Sequence, residues 1–140
     1  MSTINPHSKK LKMALKITLK PNERMIIGGA VIQNGNTKSE LLIENTVPLL
    51  RDKDILKEEE ASSPSHRIYF TIQLMYIDGD NLASYHSAYW KLVRELIDAA
   101  PTTLGLIDRI SEKIIANQYY QALKIAKELI EYEKEVTNRA

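Results

Sequence analysis

Residues 15 to 56, LKITLKPNERMIIGGAVIQNGNTKSELLIENTVPLLRDKDIL, decide the fold. Short β-rich runs are broken by Pro21, by Gly28-Gly29, by Asn34-Gly35 and by Pro48. No helix of ordinary length fits between those breakers, so the stretch reads as a small all-β unit. Beyond Ser65 the apolar residues take up helical spacing instead. The fold class is therefore α+β: a small N-terminal antiparallel β unit followed by a C-terminal bundle of about four helices.

Within the β stretch, Leu15, Ile17 and Leu19 alternate with Lys16, Thr18 and Lys20. That alternation is a half-buried strand with a basic outer face. Pro21-Asn22 supplies a turn, since proline pre-sets φ at the second turn position and asparagine tolerates the next. Met25 to Ile27 is a second short strand, Gly28-Gly29 a bend or bulge, and Ala30 to Gln33 a third. Asn34-Gly35 is the strongest local hairpin signal, because both residues accept the positive φ of a type I′ turn; Glu40 to Ile43 is the expected returning strand. Pro48 forces an edge or irregular position, and Leu49 to Leu56 is a last strand or extended arm carrying Arg51 and Lys53.

The segment KEEEASSPS, residues 57 to 65, has the composition of a linker or helix approach. Ser63 or Ser65 suits a helix N-cap, with Pro64 in the first turn. Ile68, Ile72, Met75 and Tyr76 recur at helical spacing and predict a helix over 65–77. Asp78-Gly79-Asp80-Asn81 breaks it. A second helix over 82–99 buries Tyr85, Tyr89, Leu92, Val93 and Leu96. Two more are predicted over 103–116 and 119–135, the last with Ala122, Ile125, Ala126, Leu129 and Ile130 on one stripe. Amphipathic stripes of this kind are satisfied by packing against one another, as in an antiparallel bundle. The expected organisation is a disordered basic extension over 1–12 with Met13 as the start of the structured chain, a β unit over 13–57, a linker over 58–64 and the helical bundle over 65–140.

At 140 residues and 44% hydrophobic content the chain suits one compact domain or two small units. The net charge of +1 gives no global attraction to nucleic acid or membrane, but it conceals an asymmetry. Residues 1 to 57 hold ten Lys or Arg against five Asp or Glu, and the remainder nine against thirteen. One part is basic by five charges and the other acidic by four. With no cysteine, disulfides, thiolate metal sites and cysteine nucleophiles are excluded. No run approaches the roughly 18 apolar residues of a membrane-spanning helix, and the first residues lack the apolar core of a signal peptide, so a cytoplasmic location is expected.

Catalytic and metal chemistry find no support in the spacing. His7, His66 and His86 are too scattered for a metal triad. Asp78-Gly79-Asp80-Asn81 is similar to the start of a calcium loop but lacks the later ligands, and a helix-to-helix turn explains it better. Gly28-Gly29 lacks the remaining residues of a phosphate loop. No catalytic residue, metal or cofactor is expected. Tyr85, Tyr89 and Trp90 lie on an amphipathic helix, where they serve the core or a partner protein. Lys16, Lys20, Arg24, Arg51 and Lys53 fit a phosphate-contacting patch, and fit equally a solvated lysine face that keeps edge strands from aggregating. The residues alone leave both readings open.

LKITLKPNERMIIGGAVIQNG at 15–35, LLRDKDIL at 49–56 and HRIYFTIQLMYID at 66–78 closely resemble the flagellum biosynthesis repressor family FlbT, over Met13 to about Tyr132. The resemblance implies a regulator acting after transcription, which associates with the 5′-untranslated region of flagellin messenger RNA and promotes its degradation; in some members the effect on expression is the opposite. It also implies a small partner, the flagellin regulator FlaF. The β unit is similar to a second family, the carbon storage regulator CsrA, an intertwined β dimer that binds RNA. Leu15, Ile17, Thr18, Lys20, Glu23, Ile27 and Gly28 fall on that family's pattern. Leu19 stands where it has an arginine, and Arg51 in LLRDKDI matches its late arginine with one extra residue before Ile55.

Residues and resemblance together predict a homodimer in which Lys16, Thr18 and Lys20 lie beside Arg51 and Lys53 of a neighbouring chain, forming a basic groove for single-stranded RNA. Lys16, Thr18, Lys20, Arg24, Arg51 and Lys53 are then the RNA-binding set. The alternative is an adaptor or chaperone in flagellum assembly, binding a protein through Tyr85, Tyr89 and Trp90 of the helical bundle.

Overall fold

The computed structural model describes residues 14–139. The expected extension over 1–12, with His7, and the start at Met13 lie outside the described residues. The chain divides into two compact units between Ile55 and Leu56.

Among the described residues the first unit has five strands: β1 (Leu15–Leu19), β2 (Arg24–Ile27), β3 (Ala30–Gln33), β4 (Ser39–Ile43) and β5 (Leu49–Arg51). β1 and β4 pair antiparallel with Ile17 opposite Leu41. β2 is the centre of a second antiparallel sheet, with Ile26 opposite Val31 of β3 and Leu50 of β5. The two sheets share one interior: Ile17, Leu19 and Met25 are buried, with Ile27, Ile32, Leu41, Ile43 and Leu49 packed on them. Alternation in β1 thus puts Ile17 and Leu19 inward as expected. Leu15, at the strand's end, remains 51% exposed.

The turns explain the topology. Glu23 N–H donates to the Lys20 carbonyl at 3.1 Å across Pro21-Asn22, with Asn22 at φ +63°, the geometry of a type II turn. The hairpin forms at Gly28-Gly29, not at Asn34-Gly35. Ile27 and Ala30 face each other across the two glycines, and the positive φ falls on Gly28, the pattern of a type II′ turn. Asn34 does different work. Its amide nitrogen donates to the carbonyls of Lys20 and Thr37 at 2.8 and 2.9 Å, its Oδ1 accepts from Ser39 Oγ at 2.8 Å, and its backbone N–H donates to Glu23. These bonds hold the chain where it leaves one sheet for the other, so β4 returns to β1 and not to β3. Pro48 precedes the edge strand β5. The expected extended arm ends at Arg51, where a 3₁₀ turn over Asp52–Asp54 begins.

The second unit contains α1 (Pro64–Ile77), α2 (Leu82–Ala99), α3 (Leu104–Ile115) and α4 (Tyr119–Arg139). Ser63 caps α1, its Oγ accepting from His66 N–H, with Pro64 in the first helical position. α1 packs against α2 and α4, and α4 against α3. Ile68, Ile72, Met75, Val93, Leu96, Ile110, Ile114, Ala122, Ala126 and Leu129 are buried between them. Leu56, the last residue of the expected arm, is held by α1: Gln73, buried, accepts from Leu56 N–H at 2.8 Å and donates to the Leu56 carbonyl at 2.9 Å. A 3₁₀ turn over Glu58–Glu60 comes next. Asp78 to Asn81 is a helix-to-helix turn. The Asp78 carboxylate accepts from Tyr85 OH at 2.6 Å, Asn81 Nδ2 at 3.0 Å and Asp80 N–H at 3.2 Å. Those bonds hold its pKa below the ordinary value. Among the described residues no helix is long and apolar enough to cross a membrane, and no group of three metal-ligating side chains forms.

Candidate nucleic-acid interface

The outer face of the β1–β4 sheet is set by parity. Ile17, Leu19, Leu41 and Ile43 point inward, which turns Lys16, Thr18, Glu40 and Leu42 outward. Lys16 and Glu40 are diagonal neighbours there, 3.6 Å apart and each more than half exposed. Such a pair contributes about 0.2–1 kcal/mol, so an incoming phosphate displaces it at little cost. Lys20 follows at the end of the strand and is exposed.

Arg51 brings the two sheets together. Among the described residues β1 has a single hydrogen-bonded neighbour, β4, and carbonyls on its other edge have no ladder partner there. Arg51 Nη2, from β5, donates to the Thr18 carbonyl at 2.9 Å and to Glu23 Oε2 at 3.2 Å. Glu23 Oε1 in turn accepts from Lys20 N–H at 2.8 Å. That backbone bond, above all, and the Arg51 guanidinium lower the Glu23 pKa against the opposing effect of burial. Arg51 thus meets Thr18 within a single chain, and it is a half-buried latch more than an open cation.

The other expected residues are dispersed. Arg24 opens β2 in the second sheet, exposed and opposite Gln33. Lys53 is exposed in the 3₁₀ turn after β5. Lys16, Thr18 and Lys20 share one strand, Arg51 reaches that strand from β5, and Arg24 and Lys53 are carried by other elements. Glu23 and Asn34 are the members that sequence reading passed over. Glu23 matched the family pattern, but nothing local marks it as the partner of a residue 28 positions away.

In the helical unit the three aromatic residues separate. Tyr89 is fully buried, its OH 2.8 Å from Ser111 Oγ of α3, and burial pushes its pKa up to about 12. It belongs to the interior and is not a partner-facing residue, a correction that follows from its position on the stripe with Val93 and Leu96. Tyr85 is half-buried and donates to Asp78. Trp90 remains 36% exposed, edge-on to the Tyr89 ring with centroids 4.9 Å apart.

The family model described as Flagellar protein FlbT matches residues 15–137. The chain belongs to the FlbT family. The FlbT match takes in both the β unit and the helices. The chain is 42% identical over 125 residues to the probable flagellum biosynthesis repressor protein FlbT 1 of Bradyrhizobium diazoefficiens, covering 89% of this chain and 85% of the relative. It is 39% identical over 127 residues to a probable flagellum biosynthesis repressor protein FlbT of Rhodopseudomonas palustris, covering 91% of this chain and all of the relative. With the flagellum biosynthesis repressor protein FlbT of Caulobacter vibrioides it shares 34% identity over 125 residues, 88% of this chain and 89% of that one. These names give the FlbT family a regulatory role in flagellum synthesis. No solved structure matches the chain. The likeness of the β unit to the carbon storage regulators rests on the strand pattern and Arg51 alone.

Proposed function

We propose that this FlbT-family chain regulates flagellin expression after transcription, by binding the 5′-untranslated region of flagellin messenger RNA and promoting its degradation or repressing its translation. The observation that carries the reading is the outer face of β1. Lys16 and Thr18 point away from the core, Lys20 extends the row, and Arg51 holds the strand at a backbone carbonyl on its edge. A rigid strand with cations at alternate positions suits an unpaired RNA segment, where phosphates are contacted along the strand and bases are left for side chains and backbone groups. No hydrolytic residue is required of the chain, since occupying a leader can expose the message to other nucleases. Homodimerisation belongs to the same proposal, because a β unit of about 45 residues is small for an independent core. So do action in the cytoplasm and a partnership with FlaF.

The test is binding of the purified protein to a labelled flagellin leader, titrated across salt beside a shuffled control. If Lys16, Lys20 and Arg24 contact phosphates, the log-log salt plot has a slope of about 2. Replacing Lys16 and Lys20 together by Ala reduces that slope to below about 1 and weakens binding about tenfold. Equal affinity for leader and shuffled RNA, or an unchanged slope in the double variant, removes the proposed interface.

A further inference from the structure

The helical unit contains a groove of 160 Å³ that the RNA reading does not use. Leu96 of α2, Ala100 at its C-cap, and Leu129 and Val136 of α4 form its apolar walls, and Ser65 and Glu133 are among the polar residues that line it. Its size limits what it takes. Pockets for whole metabolites run to about 300–1,000 Å³, whereas a cavity of about 150 Å³ holds a single benzene-sized group. One side chain is the scale of the fit.

Its charge is one-sided. Glu133 Oε2 accepts from Ser65 N–H at 3.1 Å and Oε1 from Ser65 Oγ at 2.5 Å. Burial opposes the Glu133 charge, but bonds from Ser63 and Ser65 and the proximity of His66 outweigh it, so the carboxyl pKa is lowered and the group is ionised at neutral pH. A carboxylate has about four lone-pair sites, which leaves capacity for one more donor. Ala100 also ends α2, where the helix dipole is negative. Among the described residues, no lysine or arginine lines the groove.

We propose that the groove docks a partner protein through one leucine-sized apolar side chain whose neighbouring lysine or arginine faces Glu133. The apolar walls hold the anchor, and the carboxylate selects a cationic neighbour over an anionic one. All the lining residues belong to the helical unit, and the proposal does not rest on the RNA reading.

Amide NMR of the full chain, titrated with capped peptides, tests this. Gly-Leu-Lys-Gly is expected to give saturable shifts at Ala100, Thr103 and Val136. Gly-Leu-Glu-Gly binds about threefold more weakly, a difference typical of a partly exposed charge contact, and Gly-Ala-Lys-Gly loses saturation. Glu133→Gln abolishes the preference for lysine over glutamate, and Val136→Trp, which fills the groove from an exposed position, abolishes binding. Should Glu133→Gln fail to fold, Val136→Trp and the peptide series still decide. The proposal is overturned by absent saturation, by equal binding of the Lys and Glu peptides, or by binding that survives Val136→Trp. It is equally overturned if the same amides shift with protein concentration alone, which makes a second copy the occupant, or with leader RNA, which makes nucleic acid the occupant.

Discussion

Asn22 and Asn117 hold φ of +63° and +61°, a region that costs most side chains roughly 1–2 kcal/mol. Asn22 is the third residue of the type II turn behind Pro21. Asn117 follows α3, where its N–H bonds to the Ile114 carbonyl and that of Gln118 to Lys113, the paired bonds of a Schellman cap. Replacing either by Val is expected to destabilise the protein by about 1–2 kcal/mol, whereas Gly at the same place costs nothing measurable, as read from chemical denaturation. The Pro21-Asn22 turn was evident in the sequence because its chemistry is local. The Glu23–Arg51 contact was not, since it depends on two sheets meeting. Folded Glu23 has a pKa below its unfolded value near 4.5, so its contribution to stability is present above that value and lost as pH falls through the folded one. Side-chain NMR titration should place its midpoint below 4.5. Arg51→Ala should raise the midpoint only part of the way, because the Lys20 N–H bond remains. The same variant leaves the Thr18 carbonyl without its donor and lowers stability by about 1 kcal/mol.

At the scale of elements, the strands and helices form close to where hydrophobic periodicity placed them, while their partners do not follow from periodicity. Asn34-Gly35 and Gly28-Gly29 are both competent turns in isolation. Which becomes the hairpin depends on β4 finding β1 and on Asn34 bonding to Lys20, neither of which is local. The approach to α1 shows the same limit. Residues 57 to 65 read as a linker or helix approach, and nothing local marks the Leu56 before them as the residue that Gln73 binds by both backbone groups. Gln73→Leu leaves those groups unpaired and is expected to cost about 1–3 kcal/mol, with faster hydrogen exchange at the Leu56 amide. Tyr89 connects α2 to α3. Burial raises its pKa to about 12, so its neutral form supports the helical unit below pH 10 and that contribution is lost as pH rises through about 12. In an alkaline spectrophotometric titration Tyr89 should ionise near pH 12, and Tyr89→Phe should remove that step.

Over the whole molecule, the basic part and the acidic part fall close to the two compact units, which divide between Ile55 and Leu56. Leader RNA is expected to shift amides of β1 and leave those of α1 to α4 in place, and an amide map of the complex checks this. Shifts confined to the helices refute the assignment of RNA to the β unit. Composition, alternation at β1, the breakers between 21 and 48 and the helical stripes determined by themselves an α+β chain with a β unit before four helices, and the motifs at 15–35, 49–56 and 66–78 were enough to indicate the FlbT family. Those features are legible because burial parity, φ preference and helix periodicity act between residues a few positions apart. Only the tertiary structure decided that β4 returns to β1, that Arg51 is a latch on Thr18 and Glu23, that Tyr89 is interior while Trp90 is not, and that α2 and α4 leave a groove beside Glu133. Each of these depends on contacts between residues distant in sequence, which form only when the sheets and helices have closed on their cores.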